Sequence, residues 1–293
     1  MKYLVLSKKR TLLRKEKGKI SFNFHSTILD DRTSIRMLIV FFFFYFINTL
    51  LCLLLFKLFQ TIKIYKTLGT GNLVFISFIF CDLLSTIATI TLFSKNKQGN
   101  SLNKIKSMFN LDSYKSVLKH WFMVFYHDFL KNIKLILLMG IILVLIQIIF
   151  NSTMALIFNN GKLIQSTNSA RIIEYFKQNF LMLIAATFIA PITEELTFRY
   201  LLTNTFKTLI SKFVKPIGLK SKCIQPFIYW ISALFSGCFF AIAHQDSPSP
   251  ILFASYVLIS LYLQLICKKT NSITAPSMVH GVSNMLVLGI SIL

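Results

Sequence analysis

Long apolar runs separated by short basic segments set the pattern of this chain. A membrane-crossing helix needs about 20 apolar residues. Seven runs reach or approach that length: 37–56, 73–93, 135–150, 180–202, 227–243, 251–266 and 273–292. The fifth and sixth are short, and the fourth is interrupted by charged residues. No internal repeat recurs. The pattern predicts an all-α fold, a polytopic membrane helical bundle of about seven, at most eight, transmembrane helices. It divides the chain into a basic segment 1–36, N-terminal membrane helices 37–179 and a membrane core 180–292. The stretch 101–134 places Trp121, Phe122, Phe125, Tyr126 and Phe129 beside lysines. It reads equally as an interfacial helix or as an amphipathic extension of the third span.

Composition agrees with a membrane protein. Of 293 residues, 55% are hydrophobic, 30 are Phe and only 14% are charged, against about 25% charged in soluble domains. Mean hydropathy is +0.65. The net charge of +22 would suggest nucleic acid in a soluble protein. Here the basic residues lie between apolar spans, so they face anionic lipid instead. Membrane lipids are expected as partners and nucleic acid is not. With the N-terminus in the cytoplasm, the inner segments carry 25 Lys and Arg and the outer ones 6. This asymmetry predicts a multi-pass cell-membrane protein with its C-terminus outside. Cys52, Cys81, Cys223, Cys238 and Cys267 are scattered and form no CxxC, so neither a disulfide framework nor a zinc module is expected. The basic N-terminus is not followed by a short apolar region and cleavage site, so no cleaved signal peptide is expected.

The fourth run carries the candidate chemistry. Glu194, Glu195 and Arg199 fall within six residues of one another inside a span. A charge near the centre of a bilayer helix costs about 2.5–3.5 kcal/mol, and such residues usually line a protein cavity. Two histidines follow in apolar surroundings, His244 after Phe240 and His280 before Asn284. Glu195 and Arg199 are i, i+4, the favourable order for an acid and a base, and Glu194 points about 100° away. His280 and Asn284 share one helix face. Phe240, one turn before His244, is placed to wall the site. If the fourth helix continues to about Phe213 it runs about 28 Å beyond Glu194, and the fifth returns about 26 Å from Phe227 to His244. An antiparallel hairpin would then bring His244 level with Glu194, provided the fifth helix starts above the inner surface. Plainer readings exist for each group: an ion-pair knot between helices, a helix-end histidine, and interhelical hydrogen bonding by His280 and Asn284. Asp82 reads as a lone acid packed against a polar neighbour.

Taken in order, Glu194-Glu195-x-x-x-Arg199, Phe240-x-x-x-His244 and His280-x-x-x-Asn284 resemble the EExxxR, FxxxH and HxxxN motifs of the CAAX protease and bacteriocin-processing (Abi) family of intramembrane endopeptidases. Phe198 before Arg199 fits that pattern, while Tyr200 stands where the family often has Gly. The resemblance covers roughly 180–292 and implies hydrolysis of a peptide bond near the membrane. The substrate implied is a peptide or a lipidated protein. Bacterial members are tied to peptide maturation, bacteriocin self-immunity and membrane signalling, and a composition rich in Phe, Ile, Lys and Asn suits a bacterial member.

Amide hydrolysis needs an activated water, oxyanion stabilisation and a proton for the leaving amine. The expected roles are Glu194 as base, His244 holding the same water, and His280 and Asn284 donating to the oxyanion. Glu195, oriented by Arg199, would support Glu194, and Phe240 would wall the site. No cofactor is expected on this reading. The rival is zinc held by Glu194, His244 and His280, which are acceptable ligand types, although no HExxH is present. Two other functional classes stand beside hydrolysis. One is a non-catalytic immunity or regulatory protein. The other is a proton-coupled transporter, which would usually show repeats with broken helices.

Overall fold

The computed structural model describes residues 111–162, 167–178, 182–214, 221–245 and 248–291, with isolated positions between 47 and 58. The first expected span is described only at those isolated positions. The segment 1–36, the second span 73–93 and Asp82 lie outside the described residues. Everything described is helix or connecting turn, with no strand among the described residues.

Helix α1, Leu111–Phe158, is about 72 Å long at 1.5 Å per residue. The aromatic and basic stretch from Leu111 onward is therefore continuous with the third span. Helix α2, Thr167–Gln178, is short and amphipathic. Helix α3 is the continuous run 182–214, made of Met182–Ile184, a wide π turn at Ala185–Ile189, Ala190–Glu195, a second π turn at Leu196–Leu202, and Thr203–Val214. Helices α4, Ser221–Ala243, α5, Pro250–Thr270, and α6, Thr274–Ile290, complete the bundle.

Three described helices are long and apolar enough to cross a membrane, over Phe129–Phe158, Ile224–Ala243 and Pro250–Thr270. Each extends beyond the run expected from hydropathy. Backbone hydrogen bonding carries a helix past the point where its side chains turn polar, so the fifth and sixth spans are longer than they seemed. Helix α4 starts before Phe227, and α3 reaches Val214, as the hairpin requires. Helix α4 packs against both α3 and α5, and α6 packs against α1, α3 and α5. The shared core includes Ile136 and Leu143 of α1, Phe198 and Leu202 of α3, Phe240 of α4, Leu263 of α5 and Val279 of α6.

The first π turn has a local cause. Pro191 has no N–H to offer the carbonyl of Thr187, four residues back. The N–H of Ala190 reaches back five residues to the Ala185 carbonyl, which leaves the Ala186 carbonyl without its usual helical donor. Asn284 Nδ2 of α6 donates to that Ala186 oxygen at 2.9 Å. The Thr187 carbonyl lies directly against Gly281, where an added Cβ would overlap it. Glycine is required there by close approach of two backbones.

Gly281→Ala is accordingly expected to disrupt the α3–α6 contact and to lower the thermal midpoint of the purified protein sharply. Gly289 of the same helix has no heavy atom within 4 Å of an added Cβ. Gly289→Ala should leave the midpoint unchanged or raise it slightly, since alanine is favoured over glycine inside a helix by roughly 0.5–1 kcal/mol. Equal effects of the two changes would contradict the packing described.

Candidate active site

The segment Ala190–Glu195 lies between the two π turns and presents both glutamates to the bundle. π turns inside helices occur often at functional sites. Glu195 is fully buried, and its Oε2 lies 2.9 Å from Arg199 Nε. Arg199 Nη2 also donates to Glu195 Oε1 at 3.3 Å. The other arm of the guanidinium, Nη1, donates to Ser260 Oγ of α5 at 2.9 Å. The Arg199 guanidinium also sits 4.9 Å over the Phe240 ring. The expected i, i+4 acid–base pair is thus present, and it is locked to α5 as well.

Glu195 Oε1 accepts a further hydrogen bond from His280 Nδ1 at 3.1 Å. A carboxylate is acceptor-only, so this nitrogen carries the hydrogen and Nε2 faces the other way. It faces Glu194, whose Oε2 lies 3.8 Å from His280 Nε2 and 3.5 Å from His244 Nε2. His244 Nδ1 donates to the Phe240 carbonyl at 2.8 Å, which fixes that ring in the same sense. One carboxylate oxygen is therefore approached by the Nε2 atoms of two imidazoles, each oriented by a partner on its Nδ1. The Glu194 side chain keeps 26% of its exposure, against 14% for His244 and 8% for His280. Glu194 is the most accessible of the three.

The structure brings Glu194, His244 and His280 together, as the hairpin predicts. The Phe240 ring walls the group, 4.1 Å from His244 and 6.1 Å from His280 between ring centres. Glu195 has no exposed surface, so it reaches the open side only through His280. Asn284 is tied to the Ala186 carbonyl through one N–H, leaving its second amide hydrogen for other work.

Three contributors escaped the sequence reading. Ser260 binds Arg199, and Tyr256 of α5 lies 5.1 Å from the His244 ring. Ser236 of α4 donates to the Phe198 carbonyl at 2.5 Å, which also accepts from Thr203 Oγ1 at 2.8 Å. That carbonyl belongs to the second π turn, so Ser236 clamps α4 to the helix that carries the glutamates. A weak signal existed in α5, where Tyr256, Ser260 and Gln264 recur every four residues in an apolar span.

The donor types suit zinc, since both imidazoles turn an Nε2 toward a carboxylate. Among the described residues, however, no three His, Cys, Asp or Glu side chains are disposed to hold a metal ion.

Acids and imidazoles are thus gathered in one cluster inside an apolar helical bundle. Residues 176–286 match the family model described as Type II CAAX prenyl endopeptidase Rce1-like. All three motifs fall within that segment, which supports the resemblance to the CAAX protease and bacteriocin-processing family and, in general terms, a CAAX-type intramembrane endopeptidase. No curated protein and no solved structure matches the chain.

Replacing Arg199 by Met would leave the Glu195 carboxylate buried without its counter-charge. Breaking a buried pair in this way is expected to lower stability by about 3–5 kcal/mol. Unfolding of the purified protein in mild detergent, titrated with a denaturing detergent, would read the loss. Parental stability in Arg199→Met would show that the pair contributes little.

Proposed function

We propose that this chain hydrolyses a peptide bond of a membrane-associated peptide or lipidated protein, with Glu194 as general base. The observation that carries the reading is the convergence of His244 and His280 Nε2 on one Glu194 oxygen. The reaction uses the chain's own groups. Glu194 takes a proton from a water held also by His244, and the water oxygen attacks the carbonyl carbon. His280 and the second amide hydrogen of Asn284 donate to the oxyanion. Collapse breaks the C–N bond as Glu194 returns the proton to the leaving amine.

Charge balance supports these roles. Glu194, Glu195 and Arg199 together carry one net negative charge, and an unbalanced charge in a low-dielectric site is unfavourable. One further proton shared among Glu194, His244 and His280 makes the cluster neutral. Carried on His280 Nε2, that proton supplies the N–H that the oxyanion needs, while Glu195 holds the opposite edge of the ring. Glu195 is a positioning residue in this scheme, and Arg199 orients Glu195.

The setting proposed is a bacterial cell membrane, with the N-terminus in the cytoplasm and the site reached from the cytoplasmic half. The biological work proposed is peptide maturation, bacteriocin processing or self-immunity. The basic inner segments and the Phe-, Ile-, Lys- and Asn-rich composition support this setting.

The test is turnover of a quenched fluorescent peptide ending in a prenylated cysteine and three further residues, by full-length protein in lipid nanodiscs. Glu194→Gln is expected to lower the rate about 10²- to 10⁴-fold while membrane accumulation and thermal midpoint stay near parental. A parental rate in Glu194→Gln would remove Glu194 as base. Prolonged chelation should leave the parental rate unchanged. A loss restored by added zinc would transfer activation of the water to a metal.

A further inference from the structure

Helix α5 carries none of the three motifs, yet it touches the groups that organise the site. Ser260 Oγ accepts from Arg199 Nη1 at 2.9 Å, and Ser260 itself is buried. One turn earlier, Tyr256 lies with its ring centre 5.1 Å from His244 and 6.2 Å from Phe240. One turn later, buried Gln264 donates to the Tyr229 hydroxyl at 2.6 Å, and its Oε1 lies 3.4 Å from Thr203 Oγ1. The i, i+4 spacing puts all three on one helix face.

The seat of Ser260 is itself shaped. Across from it, at Gly237 of α4, an added Cβ would stand 3.0 Å from Ser260 Oγ and 3.3 Å from Ser260 Cβ. The glycine lets α4 and α5 approach until the hydroxyl reaches the guanidinium. Arg199 is thereby held between Glu195 on its own helix and Ser260 on a neighbour, with Phe240 beneath it. Tyr256 of the same α5 face gives the His244 ring a second aromatic neighbour besides Phe240.

We infer that Tyr256 and Ser260 form a fourth element of this site, a Tyr-x-x-x-Ser pair of positioning residues. Ser260 sets the guanidinium of Arg199, and through it Glu195 and His280. Tyr256 sets the ring of His244 by packing. The inference rests on the proposed hydrolytic reading, which the same experiment tests separately.

The experiment uses full-length protein in nanodiscs and the same prenylated peptide. Ser260→Ala and Tyr256→Leu are expected to lower kcat roughly 10- to 100-fold with KM held within about twofold, because they displace catalytic groups without removing substrate contacts. Tyr256→Phe keeps the ring and should retain most of the rate. In an Arg199→Lys background Ser260→Ala should cost little more, since partners in one chain of contacts are non-additive. Independently of any substrate, the ring ¹⁵N resonances of His244 should shift in Tyr256→Leu and stay in place in Tyr256→Phe. Parental kcat together with unmoved His244 resonances would overturn the inference. So would a Ser260→Ala loss that carries undiminished into the Arg199→Lys background. Glu194→Gln separates the two claims. If it is inactive while the α5 variants are parental, only the α5 inference fails. If it is fully active, the hydrolytic reading itself fails.

Discussion

The ion pair between Glu195 and Arg199, buried inside a membrane bundle, constrains most of what surrounds it. Two charges withdrawn from water are tolerated only when their remaining hydrogen-bonding capacity is met. Here Ser260 of α5 and His280 of α6 each add a hydrogen bond to the pair, one to the guanidinium and one to the carboxylate. Satisfying the pair fixes the rotation of α3 about its axis. That rotation turns the adjacent Glu194 toward the two Nε2 atoms. Adjacent glutamates thus divide the work, because successive residues on a helix point about 100° apart. One is closed off by the protein and the other keeps an accessible edge.

Departures from regular α-helix serve the same arrangement. Pro191 withholds one N–H, the turn before it widens, and two carbonyls are left for α6. Ala186 takes Asn284, and Thr187 meets Gly281. The second wide turn exposes the Phe198 carbonyl to Ser236 and Thr203. Inside a bilayer an orphaned carbonyl is costly unless protein satisfies it. Each irregularity in α3 therefore doubles as an attachment point, and the glutamate-bearing turn is fastened on both sides.

The motifs and the hairpin could be read from residue order because they rest on simple periodicities. Charges within a span stand out against apolar neighbours, and matched helix legs place His244 beside Glu194. The π turns left no comparable trace. Pro191 hints at an irregular backbone but not at which carbonyl α6 will take. Ser260 and Tyr256 were missed because a serine or tyrosine in an apolar span is unremarkable until its partner is seen. The ends of α4 and α5 were set too short because hydropathy falls before helical hydrogen bonding does. The partners of Glu195 were legible only in part for a related reason: spacing pairs it with Arg199, but only the packing of α6 reveals that its other bond goes to His280.

The account stands on Glu195 orienting His280 so that Nε2 faces Glu194. Side-chain ¹⁵N spectra of the histidines in the full-length protein in nanodiscs, assigned by single substitution, address this directly. The account predicts that His280 Nδ1 carries a hydrogen bonded to a carboxylate, and that Glu195→Gln shifts the His280 resonances strongly. A His280 ring with a bare Nδ1, or one indifferent to Glu195→Gln, would contradict it.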